Sequence, residues 1–374
     1  MKYLKEFHNA ELAKNLFKAI NYEVQPQRTY RLMEFCGGHT HAIFRYGLNQ
    51  ALPKNIELIH GPGCPVCVLP IARLDQAIAY ARQPNTLFCS FGDMMRVPAS
   101  RKQTLLRTKS QGANIHIIYS AGDALKLAQS HPDKQVIFFA IGFETTTPPT
   151  ALVIKQAAQL QLTNFTVFNN HVLTPAAIQA ILDTPNKLNV DGLIGPGHVS
   201  TIIGSDAYTY LAEKYQRPIV VSGFEPLDIL HGILMLVRQL NEKRSVVENQ
   251  YLRAVNAKGN QKAIAVMEEV FELRKTFEWR GLGFLENSAL NIKPDFSAFD
   301  AEQKILYTPE KPVSENKACA CGDVLRGIKK PTECEIFATI CTPENPLGAC
   351  MVSSEGACAA QYKYDRYEQD EKLI

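Results

Sequence analysis

Eight short apolar runs set the limits on what this chain can fold into. YRLMEF (residues 30–35), NIELIH (55–60), TLFCSF (86–91) and NIHIIY (114–119) form a first set. QVIFFAI (135–141), NFTVFN (164–169), VDGLI (190–194) and PIVVS (218–222) form a second. Each is short and apolar, with turn residues at its ends, which reads as a strand. Helical stretches such as PIARLDQAIAYARQ and SDAYTYLAEKYQ separate most of them. Strands that alternate with helices imply parallel sheets with helices on the faces. The two sets have nearly the same spacing, and GPG occurs in both, at 61–63 and 195–197. This predicts a helix within 1–28 and two similar parallel-sheet α/β domains, at 29–131 and 132–235. Beyond about 225, DILHGILMLVRQLNE, VVENQYLRAV and QKAIAVMEEVFELRKTF read as helices, and the chain then turns loop-rich. A third domain, helical with an irregular end, is expected at 236–374.

A chain of 374 residues is too long for one ordinary core. Its 40 basic and 37 acidic residues give a net charge of +3, close to neutral, so neither nucleic acid nor an anionic membrane is expected as partner. The opening MKYLKEFHNAELAKNLFKAI reads as an amphipathic helix and not as a signal peptide. No apolar run approaches the roughly 20 residues that span a bilayer. A cytoplasmic location follows as the expectation. Cysteines stay reduced in that compartment, so clustered ones point to metal or redox chemistry. There are ten. Cys36, Cys64, Cys67 and Cys89 lie in the first hundred residues, six more fall within forty residues near the end, and none lies between.

Nearly every unusual polar cluster follows an expected strand: CGGHTH (36–41), HGPGCPVC (60–67), FGDMMR (91–96), GFETTTP (142–148), NNH (169–171), GPGHVS (195–200) and GFEPLD (223–228). Ligands of open parallel sheets bind beyond the carboxyl ends of the strands. In GPGCPVC, Cys64 and Cys67 can close a disulfide or grip one metal ion, and two prolines stiffen the loop. Cys36 with His39 and His41 suits a soft metal, or a nucleophile activated by an imidazole. Glu144, Glu225 and Asp228 sit where helices start, as caps or as a polar cleft wall. His171 and His198 read equally as structural or site histidines, and Cys89, inside a strand, reads as packing.

The end of the chain carries Cys319, Cys321, Cys334, Cys341, Cys350 and Cys358 among glycines and prolines. Such loops can wrap an iron–sulfur cluster and aim four thiolates inward. Zinc is the other candidate, but the paired knuckles of most zinc sites are missing.

Taken together, CGGHTH, GPGCPVC, GFETT, NNHVLTPAA, GPGHVSTIIG, GFEPLDIL and CTPENPLGACMVSSEGACAA resemble the HypD family of [NiFe]-hydrogenase maturation factors, over about residues 30–365. The resemblance implies three domains, two of them α/β, and a [4Fe-4S] cluster near the C-terminal end. It implies a complex with the small chaperone HypC, on which mononuclear iron gains cyanide and carbon monoxide before delivery to the hydrogenase large subunit. The cyanide would come from a thiocyanate on the partner HypE, with HypF acting upstream. Cys36, Cys64 and Cys67 match the family's essential cysteines and are expected to hold that iron, with His39, His41 and Glu144 in catalytic roles. Cys321, Cys334, Cys341 and Cys358 are the expected cluster ligands, with Cys319 or Cys350 as substitutes. The family's cluster is likened to that of ferredoxin–thioredoxin reductases, which passes electrons to a disulfide. The alternative function is an iron–sulfur-dependent thiol–disulfide oxidoreductase, which would use the same residues.

Overall fold

A computed structural model describes residues 9–184, 190–309 and 317–371. All eight expected strands form: β1 (Tyr30–Glu34), β2 (Ile56–His60), β3 (Thr86–Phe91), β4 (Ile115–Ile118), β5 (Gln135–Gly142), β6 (Phe165–His171), β7 (Gly192–Pro196) and β8 (Ile219–Ser222). They are parallel, and β5 and β6 are buried along nearly their whole length, as strands covered on both faces must be.

Sheet membership departs from sequence order. One sheet runs β2-β1-β7-β8-β9, where β9 is Val247–Asn249, and the other runs β4-β3-β5-β6. The chain therefore leaves the first sheet after β2, builds the whole second sheet, and returns after β6. Strand spacing reports where strands lie, not which neighbours they hydrogen-bond, so the two-halves expectation was blind to this double crossing.

The region after 225 follows expectation in its first helix and departs from it afterwards. The helix Pro226–Asn241 packs on the first sheet, where Ile229, Leu230, Ile233 and Leu236 share a core with Ile20, Tyr30, Leu32 and Val220. Each such fully buried side chain contributes about 1.5–3 kcal/mol. VVENQYLRAV supplies the edge strand β9 in place of a helix. QKAIAVMEEVFELRKTF is helical only over Gln261–Val270; Phe271–Trp279 is β10, paired antiparallel with β11 (Gly283–Ile292). Phe271, Phe277 and Trp279 fall on alternate positions and are buried, so tertiary burial overrides a pattern that also suited a helix.

The cysteine-rich segment has no core of its own. Cys321, Cys341, Cys350 and Met351 pack with Cys64, Cys67, Phe139 and Phe168 in one cluster. Arg73, on the helix Ile71–Ala81, locks this junction. Its guanidinium stacks 4.2 Å from the Phe168 ring, donates to Asn169 O at 2.9 Å and forks onto the Glu302 carboxylate. Burial alone would raise the Glu302 carboxyl, but Arg73 and Arg274 hold it at about 2.

Candidate thiol and metal centre

Four neighbouring strands, β2, β1, β7 and β8, end side by side, with Glu34 opposite His60 and Ile194, and Pro196 opposite Ser222. Their loops, GPGCPVC, CGGHTH, GPGHVS and GFEPLD, are thereby gathered at one sheet edge. Gly63 lies against Cys36 so closely that a Cβ there would stand 2.5 Å from Cys36 N. The Gly37 amide donates to Gly63 O at 3.0 Å and ties the two loops together.

Cys36 precedes the helix Gly37–Arg45, and its sulfur lies 3.8 Å from His198 Nδ1. Burial, then the nearby Glu355 carboxylate and, more weakly, Glu34, push the thiol up to about 12. At neutral pH Cys36 therefore holds its proton until a cation or a conformational change displaces it. The Glu34 carboxylate, fully buried, accepts from Cys36 N at 2.9 Å, from the Thr40 hydroxyl and from His60 at 2.8 Å. Sequence reasoning passed over Glu34, though a charged residue closing an apolar strand was a visible signal. It also left His198 undecided, although the second GPG led straight to it.

His39 and His41 take other positions. Nε2 of His39 donates to Ser222 O and Gly223 O, each at 3.0 Å, and burial lowers its basicity. The His39 and His198 rings both stack on Phe224, with centroids 4.8 and 3.9 Å away. His41 meets the Tyr364 hydroxyl at 2.8 Å and so links its helix to the one that begins at Ala357.

Cys64 and Cys67 form a disulfide, with Cα atoms 5.2 Å apart. On one side the pair adjoins Cys36 through Gly63. On the other, Cys67 Sγ lies 3.9 Å from Ala349 O, next to Cys350. Cys319, Cys321, Cys334, Cys341, Cys350 and Cys358 all line one small cavity there. Within it Cys321 Sγ and Cys350 Sγ stand 2.9 Å apart. Hydrogen bonds from Cys319 and then Cys350 bring Cys321 well below the usual thiol range. Ala320 N points at Cys334 Sγ and Leu347 N at Cys341 Sγ, both at 3.4 Å. Gly348 is needed for this wrapping, since a Cβ there would meet Cys319 Sγ at 2.7 Å. Among the described residues, no three thiol, imidazole or carboxylate groups converge closely enough, as they stand, to hold a single ion.

Residues 11–365 match the model of HypD, described as the hydrogenase formation hypA family. The chain belongs to the HypD family. It is 59% identical to the hydrogenase maturation factor HypD of Azotobacter vinelandii, over 99% of this chain and 98% of the relative. Identity is 54% to that of Cupriavidus necator, over 98% of each, and 45% to that of Escherichia coli, over 99% and 100%. No helix among the described residues is long and apolar enough to cross a membrane.

In this HypD-family fold Glu144 lines a different cleft, one without a cysteine, beside Leu173, Tyr210 and Phe284. It accepts from Thr174 N at 2.8 Å and Thr174 Oγ1 at 2.9 Å. Burial outweighs these donors and raises its carboxyl from 4.5 to about 7. The folded chain thus holds this proton more tightly than the unfolded chain. The stability it contributes is complete below pH 4.5 and is lost as pH rises through about 7, an effect on the order of 3 kcal/mol. Urea midpoints measured across that range should fall with rising pH in the wild type and stay flat at this step in Glu144→Gln. Asp228 is a buried helix cap ion-paired with Arg253, and His171 bonds Thr150 Oγ1 at 2.8 Å. Cys89 is buried inside β3 as packing.

Proposed function

We propose that this HypD-family chain, together with a HypC-type chaperone, is the scaffold on which a mononuclear iron atom gains cyanide and carbon monoxide on its way to a hydrogenase. Iron is the cargo, and Cys36 is its anchor. Low-spin iron with such ligands is soft and favours a thiolate. One observation carries the reading: the Cys64–Cys67 pair lies between Cys36 and the six-thiol cavity, adjoining one through Gly63 and the other through Ala349.

Six cysteines lining one cavity are the donor set that a resident [4Fe-4S] cluster needs. Cys321, Cys334, Cys341 and Cys358 are its proposed ligands, with Cys319 or Cys350 as substitutes, and all six line the cavity. When bound, the cluster supplies electrons one at a time.

The need for electrons follows from the chemistry of the cyanide donor. A thiocyanate, R–S–CN, releases cyanide as an anion only if it gains two electrons. Reduced Cys64 and Cys67 provide them: the S–C bond breaks, a Cys64–Cys67 S–S bond forms, and the two thiol protons go to R–SH and to HCN. Cyanide, after losing that proton, binds the iron at Cys36.

The test is Cys64→Ala, purified anaerobically with the HypC-type partner and examined by infrared spectroscopy. Cyanide and carbonyl bands are expected to fall below detection; bands at wild-type intensity would show that the role given to Cys64 is wrong. A general thiol–disulfide oxidoreductase would use the same Cys64–Cys67 pair but would need no iron at Cys36. Turnover of a disulfide substrate by iron-free protein would favour that reading instead.

A further inference from the structure

The six-thiol cavity has one approach that the scaffold chemistry leaves unexplained. A pocket of about 460 Å³ opens beside it, with Cys319 and Cys321 among its lining residues. Four cationic side chains, Arg96, Arg101, Lys102 and Arg280, line it against one carboxylate, Glu344. The whole chain is nearly neutral, so this excess is local.

The two outermost cations are held with unusual care. Arg101 and Lys102 are exposed, yet both adopt left-handed backbone, with φ of 55° and 56°. Neither is the glycine that would relieve this conformation, which L side chains rarely adopt. Their loop is pinned from below, where Asp75 accepts from Ser100 N at 3.0 Å and from Ser100 Oγ at 2.7 Å. Arg96 serves as a brace across the same pocket, donating to Pro343 O at 3.1 Å and Val352 O at 3.3 Å in the cysteine-rich loops. Of the two thiols that line the pocket, Cys319 is half-buried and Cys321 is buried.

From this arrangement we infer that the pocket is the electron-entry port of the chain, a docking site for a small acidic one-electron carrier protein. The inference rests on the cluster reading above. Cationic side chains around a concavity draw in an acidic partner and orient it. The docked carrier then faces the cavity wall through Cys319 and Cys321. Two docking events close the balance: two reduced carriers, one disulfide and two protons give two oxidised carriers and two thiols.

The experiment uses the full chain with its HypC-type partner and a plant-type [2Fe-2S] ferredoxin as probe. Binding is measured by calorimetry and electron uptake by stopped-flow absorbance. Wild-type affinity and rate should both fall about 10- to 100-fold between low and high salt. The double variant R101E/K102E should lose a similar factor at low salt, with R101A/K102A intermediate. Unchanged affinity in the charge-reversed protein, or wild-type binding that ignores salt, overturns the port. Reduced methyl viologen, a cation the port would not attract, separates the two readings. If viologen reduces the wild type while ferredoxin neither binds nor delivers electrons, the port alone falls. If viologen also fails, the cluster reading falls and takes the port with it.

Discussion

Cys36→Ser is expected to abolish iron binding by the proposed scaffold. Serine is nearly isosteric, so the loop should keep its shape. Its hydroxyl is a harder donor that gives up its proton less readily than a thiol, and soft iron binds it poorly. Removing a mere supporting partner of a metal site costs 10–100-fold in affinity; loss of the anchoring sulfur should cost more than roughly 100-fold. The infrared cyanide and carbonyl bands of the purified complex should vanish while the visible iron–sulfur absorption stays. Persistence of the bands would remove Cys36 from the site. The raised pKa adds a second signature. Below about 12 the thiol holds its proton, so loading iron releases it. Apparent iron affinity of the wild type should therefore rise about tenfold per pH unit through neutrality, and this slope should be lost in Cys36→Ser.

Gly63→Ala should be nearly as damaging, although it touches no reactive atom. The added methyl would stand 2.5 Å from Cys36 N and 2.6 Å from Phe35 C, and backbone atoms cannot swing aside as a side chain does. The loop must lift away and stretch the Gly37 N to Gly63 O bond. A loss of about 3 kcal/mol is expected, at the upper end for overpacking. Separation of Cys36 from the Cys64–Cys67 pair should also weaken the infrared bands. Gly122→Ala is the control: it lies in the helix Ala121–Ser130, where the nearest atom would be 3.7 Å away, and alanine suits a helix better. An unchanged urea midpoint together with full-strength bands in Gly63→Ala would show that the contact between the loops does not matter.

Much of the fold could be read from local pattern. All eight strands form where short apolar runs sit between turn residues, and the helix Ile71–Ala81 lies within its expected stretch. The clustering of polar residues after strand ends was legible for the same reason. The errors concern elements whose nature depends on distant partners. Phe271–Trp279 could serve a helix or a strand, and only β11 alongside decides it. His39 and His41 stood beside Cys36 in the sequence, yet a helix turns successive side chains about 100° apart and sends them to Ser222 and Tyr364. The imidazole that meets the Cys36 sulfur comes from His198, 162 residues away.

Local pattern alone thus determined the alternation of strands and helices, the loops that carry the chemistry, and the family motifs, because each depends on residues within one turn or one strand. The tertiary structure decided which strands share a sheet, which imidazole faces Cys36, and how six thiols come to line one cavity. Those are long-range choices. They follow from burying apolar faces and satisfying backbone hydrogen bonds between segments that the linear order keeps far apart.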